Sequence, residues 1–169
     1  VIASSEYTKN NVIRAYKIPP EKIAVVHWGI DEVDVPRCEK PFKEKTVLFL
    51  GRITIQKGPD YFMETANKVL KYEPDTKFVI VGDGDMMPRM IARASELGIS
   101  NKVVFTGRLS GDDVHKAFQS ADLYVMPSTS EPFGLVALES LKNGTPVLIS
   151  KQSGVSEVLK NALKADFWD

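Results

Sequence analysis

Thr46-Val47-Leu48-Phe49-Leu50-Gly51-Arg52-Ile53-Thr54-Ile55-Gln56-Lys57-Gly58 is the stretch from which the rest of the chain can be read. A short β-branched and aliphatic run ends at a glycine, which marks a strand followed by a tight turn. The same pattern recurs at residues 77–81, 102–105, 123–126 and 146–149, so residues 46–50 open a series of five candidate strands. Turn residues come after each strand: Gly51, then Gly82 and Gly84, Gly107, Pro127 to Ser130, and Ser153 with Gly154. Between the strands, Phe62, Ala66, Val69 and Leu70 recur at helical spacing, as do Met90, Ala94 and Leu97, and Val114, Ala117 and Phe118. Each of these segments can lay one apolar stripe on a sheet. Strands alternating with amphipathic helices indicate an α/β domain with a parallel sheet. Ligands of such domains bind in the loops at the carboxyl ends of the strands.

The first 45 residues have a different character from the rest of the chain. Residues 12–16 read as helix and residues 23–26 as strand, while residues 34–45 form a charged stretch with two prolines, as expected of a connection between domains. The chain has 169 residues, 43% of them hydrophobic and 26% charged, which suits one packed soluble domain and excludes a disordered tail or a fibrous repeat. Lysine plus arginine equal aspartate plus glutamate at 22 each, so no net field is available to hold a nucleic-acid backbone or an anionic membrane. Any anion must be held by a local cluster. Cys38 is the only cysteine, which rules out an internal disulfide and a Cys/His zinc set; with no leader-like opening, it points to the cytoplasm. No apolar run approaches the length needed to span a bilayer.

The chemistry concentrates in two segments. Glu131-Pro132-Phe133-Gly134-Leu135-Val136-Ala137-Leu138-Glu139 starts in a loop after a strand and continues into a helix of about ten residues, apolar on nearly every face and therefore expected near the centre of the fold. Glu139 is the anomaly in that helix. A buried carboxylate needs hydrogen-bond donors, supplied either by protein or by a ligand's vicinal hydroxyls. Gly134 permits close backbone approach, and the free amides of the first helical turn suit a phosphate. The same segment also reads as a capped core helix whose glutamate is satisfied internally. In the second segment, Arg52 can grip phosphate oxygens through its planar fork while Lys57 supplies a compact charge, a pairing suited to a diphosphate. A solvated basic turn is the plainer reading. The spacing is not that of a Walker loop.

Taken together these segments resemble the retaining glycosyltransferases of the two-domain GT-B architecture, in particular glycosyltransferase family 4 (group 1), related to glycogen and sucrose-phosphate synthases. The resemblance rests on Gly51-Arg52 through Lys57-Gly58, Val81-Gly82-Asp83-Gly84, Phe105-Thr106-Gly107-Arg108-Leu109, Pro127-Ser128, and the nine residues from Glu131 to Glu139. At Ser153-Gly154 the chain departs from the pair of glycines usual in that family. The resemblance implies a Rossmann-like, doubly wound parallel sheet forming the donor-binding, carboxyl-terminal half of a larger enzyme. Residues 1–45 would be the tail of an amino-terminal acceptor domain plus the connection, and residues 46–169 the nucleotide-sugar-binding domain, cut short at its end. It implies that Arg52 and Lys57 bind the donor diphosphate, that Glu131 faces the transferred sugar, and that Glu139 binds the ribose. Gly51, Gly82 and Gly84 would approach the donor. Amides around Phe133, Gly134 and Leu135 would contact sugar or phosphate, and Arg108 and Leu109 would line the base. The implied reaction moves a hexose from a nucleoside-diphosphate sugar to a glycan or other hydroxyl, as in polysaccharide biosynthesis, with no metal and no cofactor. With its acceptor domain missing, this chain alone would be inactive.

Other motifs carry less. Gly82-Asp83-Gly84 lacks the third glycine of a dinucleotide fingerprint, Met87 standing in its place, and so reads as a turn beside a nucleotide. Asp83 and Asp85 lack the remaining spacing of a calcium loop. His27 and His115 have no visible catalytic partner in the sequence, and Trp28 replaces an asparagine frequent in the family. Two rival functions remain: a sugar-nucleotide epimerase of the same architecture, and a non-catalytic α/β binding module.

Overall fold

Ser5 starts the first helix. Its side chain accepts from the Thr8 amide at 2.9 Å, capping helix α1 (Glu6–Tyr16), which runs between two short parallel strands, β1 (Ile2–Ala3) and β2 (Ala24–Val25). These two strands form a sheet of their own. The structure is a computed structural model and describes residues 1–31 and 37–169. The start of the charged stretch read from the sequence, Asp34 to Pro36, lies outside the described residues.

The main sheet begins with β3 (Lys45–Leu50), and the chain then alternates helix and strand. Helix α2 (Pro59–Val69) leads to β4 (Thr76–Val81), α3 (Met87–Glu96) to β5 (Val103–Gly107), and α4 (Asp112–Ser120) to β6 (Leu123–Met126). Helix α5 (Leu135–Lys142), β7 (Val147–Ser150) and β8 (Leu163–Ala165) complete the order. Proline occupies the first turn of both α2 and α3, where its missing N–H costs nothing. All six strands are parallel, in the order β5-β4-β3-β6-β7-β8. The chain winds outward from β3 through β4 to β5, then returns to β6 on the other side of β3. This reversal creates the crevice in which doubly wound sheets bind ligands.

Alternate strand residues face opposite sides and build two cores. Phe49, Phe78, Ile80 and Val125 pack with Phe62, Met63 and Ala66 of α2 and Met90 and Ala94 of α3. Leu48, Val79, Val81, Tyr124, Val147 and Ile149 pack with Phe118 of α4 and Ala137 of α5. The sheet is thus covered on both faces, which is why its strands read as nearly continuous apolar runs.

Three expectations need correction. The sheet has six strands where the sequence pattern predicts five: β8 is a short edge strand with Leu163 and Lys164 exposed, so burial imposed no apolar pattern on it. Gly107, expected in a turn, is the last residue of β5. Helix α5 has eight residues and is not central, since only Ala137 and Ser140 are buried and Leu141 is 37% exposed. It lies on one face of the sheet, so its sequence is more apolar than its packing requires.

Candidate active site

The loops after β3, β4 and β5 are tied to one another by backbone hydrogen bonds. Gly51 N–H donates to Val81 O at 3.0 Å, Ile53 N–H to Asp83 O at 2.9 Å, and Gly82 N–H to Gly107 O at 2.9 Å. Gly82 is required for this contact: its φ is +134°, and a Cβ there would lie 1.9 Å from Gly51 O. The loops enclose a cavity of about 520 Å³ whose walls include Gly51, Arg52, Gly82, Gly84, Arg108 and Leu109. Leu50, Val81, Leu109 and Val114 give it apolar surface suited to a flat ring. Arg52 and Arg108 are exposed and form no ion pair among the described residues, so both guanidinium groups are available to an anion.

The loops after β3 and β6 meet at the point where the winding reverses. Lys57, on the 3-10 turn Ile55–Lys57, donates to Glu131 Oε2, and the two side chains are only 20% and 10% exposed. Gln56 Nε2 donates to Ser130 O at 2.7 Å, and the Thr129 amide donates to Gln56 O at 2.9 Å, which holds the two loops together. A small cavity of about 50 Å³ adjoins the pair, with Tyr124, Ser128, Leu135 and Val136 in its walls. Tyr124 is fully buried; burial, reinforced by the charges of Glu131 and Glu139, pushes its phenol far above the ordinary value. It stays protonated and donates to Leu50 O at 3.3 Å.

The buried carboxylate is therefore Glu131, not Glu139. Glu139 is half-exposed on α5 and lines a separate cavity of about 540 Å³ with His115, Lys142 and Asn143. Val114 borders both this cavity and the one holding Arg52, so the two grooves adjoin. Among the described residues the Glu139 carboxylate has no hydrogen-bond or ion-pair partner, since Asn143 bonds only its backbone oxygen. The expectation of a buried helical glutamate depends on a central α5, and the position of α5 on one face removes it.

Gly134 caps α5 without a side-chain hydrogen bond, and the amides of Leu135 and Val136 donate to no protein acceptor among the described residues. These unsatisfied donors and the helix dipole favour an anion beside Lys57. Phe133 is 1% exposed, its ring against His27 at 5.9 Å and Trp28 at 6.1 Å between centroids, so only its backbone can reach a ligand. Sequence alone does not single out Ser4, Ser5, Thr8 and Glu157, whose contacts hold the loop carrying Glu131. The Ser5–Thr8 spacing of an N-cap is the signal that could have found them. Among the described residues, no group of three or more His, Cys, Asp or Glu side chains is placed to hold a metal ion, and no helix is long and apolar enough to cross a membrane.

Known proteins resemble this chain in sequence and in fold. The family model of the group 1 glycosyl transferases matches residues 32–165. An uncharacterized glycosyltransferase of Methanocaldococcus jannaschii is 37% identical over 174 residues, which cover 95% of this chain and 44% of the relative. A D-inositol 3-phosphate glycosyltransferase of Mycobacterium sp. (strain JLS) is 31% identical over 177 residues, covering 96% of this chain and 39% of the relative. The chain thus spans less than half the length of these curated relatives. Among solved structures, Anabaena HepE in complex with UDP-glucose superposes with a TM-score of 0.85 at 23% identity, covering 98% of this chain and 49% of that one. Sucrose-phosphate synthase from Thermosynechococcus elongatus superposes with a TM-score of 0.83 at 22% identity, covering 100% and 45%. Those two likenesses are of fold. The match over residues 32–165 carries the assignment, and this chain belongs to the group 1 glycosyl transferase family.

Proposed function

We propose that this chain is the donor-binding domain of a retaining glycosyltransferase of family 4, which moves a hexose from a nucleoside-diphosphate sugar to a hydroxyl of a glycan or other acceptor. The observation that carries the reading is that three anion-seeking features sit on the loops after β3 and β6, beside the point where the sheet reverses: Arg52, without an ion pair among the described residues, the Lys57 ammonium, and the free amides at the start of α5. In this scheme the nucleoside lies in the cavity of Gly82, Arg108 and Leu109, its ribose reaches Glu139 past Val114, and its diphosphate bridges Arg52 and α5. HepE, of the same fold, has been solved with UDP-glucose.

The chemistry follows from that placement. As the bond between the anomeric carbon and the diphosphate breaks, negative charge grows on the leaving oxygen. Fixed cations and helix-terminal amides stabilise that charge without reorganising, and in a site screened from water their effect is large. Lys57 is held ready by Glu131, and a diphosphate can share it. Glu131 in turn offers its carboxylate to sugar hydroxyls. The scheme assigns leaving-group stabilisation to the chain's own cations and uses no metal. Residues 1–45 are read as the tail of an acceptor-binding domain plus the connection to it, a reading that their separate two-stranded sheet supports. The lone Cys38 fits a cytoplasmic setting.

Calorimetric titration with UDP, GDP and ADP beside their nucleosides tests the reading. Arg52→Ala is expected to weaken the bound diphosphate about tenfold, the worth of a charge-assisted hydrogen bond, and to leave the nucleoside within about twofold. Equal losses for both would place Arg52 away from the phosphates.

A further inference from the structure

The loop carrying Glu131 is gripped by the first residues of the chain, more than a hundred positions away. Three hydroxyls converge on one backbone oxygen: Pro132 O accepts from Ser5 Oγ at 2.7 Å, Thr8 Oγ1 at 3.0 Å and Ser4 Oγ at 3.2 Å. Ser5 is 0% exposed and at the same time caps α1. A second contact closes a ring. Glu157, on the 3-10 turn Gly154–Glu157, accepts from the first two amides of α1, Glu6 N–H at 2.9 Å and Tyr7 N–H at 2.7 Å. That turn is itself fastened to the loop, since Gly154 N–H donates to Glu131 O at 3.0 Å and Val155 N–H to Phe133 O at 2.7 Å. Tyr7 Oη adds a hydrogen bond to Ser130 Oγ at 3.1 Å. The three pieces touch so closely that a Cβ on Gly154 would lie 2.3 Å from Pro132 O and 2.6 Å from Ser5 Oγ.

We propose that Ser5, Thr8 and Glu157 are positioning residues for the donor: through them the start of α1 and the turn Gly154–Glu157 clamp the loop at residues 131–133, setting Glu131 against the donor sugar. This rests on the reading of that loop as the sugar side of the donor site. An ordinary helix cap needs one side chain and faces its own helix. Here the capping serine and two neighbouring hydroxyls are directed at a carbonyl between Glu131 and Gly134, and the acid that binds the first amides of α1 comes from the turn bonded to that same loop. A shift of α1 therefore acts first on this loop, and reaches the β4 and β5 loops, which share no hydrogen bond with α1 among the described residues, only through the β3 loop. The clamp consequently bears most directly on the part of donor affinity that depends on the sugar.

The test compares UDP with UDP-glucose, GDP with GDP-mannose and ADP with ADP-glucose by calorimetry on the full chain, together with amide hydrogen exchange. Thr8→Val keeps the side-chain shape and removes the hydroxyl, and Ser5→Ala is combined with it. In the pair that the unmodified chain distinguishes, the double variant is expected to lose about fivefold in affinity for the sugar nucleotide and less than about twofold for the bare diphosphate. Exchange at the Gly154 and Val155 amides should speed up while that at the β3 and β4 amides stays unchanged. Thr8→Ser, which retains the hydroxyl, should behave as the unmodified chain. A uniform loss for diphosphate and sugar nucleotide, or none for either, overturns the positioning role while leaving the donor site in place. Failure of the unmodified chain to distinguish any sugar nucleotide from its diphosphate overturns the donor-site reading itself, and the proposal with it.

Discussion

Lys57 and Glu131 hold opposite charges largely withdrawn from water, with side chains 20% and 10% exposed. Their attraction is offset by the desolvation of each, so the pair adds little net stability, but deleting one partner strands the other. Lys57→Met is expected to lower the unfolding free energy by about 3 kcal/mol, the lower end for a broken buried pair. Adding Glu131→Gln should recover part of that loss, because no buried charge then remains unpaired. Urea denaturation of the two single variants and the double variant reads the coupling, and strictly additive losses would show that the two charges do not depend on each other. The pair also has a functional consequence. Lys57 is the less exposed of the two cations assigned to the diphosphate, and its charge is already partly committed, whereas Arg52 is free among the described residues. Arg52 is thus the cleaner probe of phosphate contact, since its removal leaves no carboxylate unpaired.

Among the elements, β3 and β6 form the central pair, and the chain reverses its winding between them. The two strands are locked where they begin by a reciprocal contact: the Thr46 amide donates to Asp122 Oδ2 at 2.9 Å, and the Asp122 amide donates to Thr46 O at 2.8 Å. Lys40 also donates to this carboxylate. Partial burial raises the Asp122 pKa, but the Lys40 and Thr46 hydrogen bonds more than offset this and hold it below the usual carboxylate range. Its contribution to stability is therefore full above about pH 4, the unfolded value, and fades as the pH falls through the lower folded value. The side chain is 44% exposed, so screening limits the effect to about 0.5 kcal/mol. Asp122→Asn should flatten the fall in stability between about pH 5 and pH 2.5, and an unchanged slope in urea midpoints would remove Asp122 from the account. The central strands were legible in the sequence because burial on both faces leaves no room for polar residues: residues 46–50, 77–81 and 123–126 lie within or coincide with strands of the structure. Strand β8 was not legible, because its exposed Leu163 and Lys164 carry no period. The positions of Arg52, Lys57 and Glu131 near strand ends were equally readable. Their pairing was not, since Lys57 and Glu131 are 74 residues apart and are brought together by the β3–β6 contact and the bonds between the loops that follow it. The clamp on Pro132 is hidden for the same reason, and because residues 1–45 have the sequence character of a separate connecting piece.

Charge balance and cleft geometry act together across the molecule. With 22 basic and 22 acidic residues there is no long-range field to draw in a nucleotide, so affinity has to come from the short reach of Arg52, Lys57, Arg108 and the α5 amides. On the proposed reading those groups all face the donor side of the reaction. Among the described residues, the cavities beside Arg52 and Glu139 are walled by strand ends and the loops after them, by α4 and α5, and by residues 29–31. The curated relatives are more than twice the length of this chain, which covers 44% and 39% of them. On the proposed reading, the remainder of such a protein supplies the acceptor side, closes the cleft and excludes water. Loss of that alignment can alone remove many orders of magnitude in rate, since proximity and orientation supply about 7–11 kcal/mol of a typical two-substrate barrier. The isolated 169 residues are therefore expected to bind a nucleoside diphosphate and its sugar conjugate yet show no acceptor-dependent transfer. Labelled sugar nucleotide offered with a panel of hydroxyl acceptors measures turnover, and calorimetry on the same preparation measures binding. Transfer by this chain alone would place an acceptor site on its own surface, with Glu131 and the clamped loop as the first place to look for it.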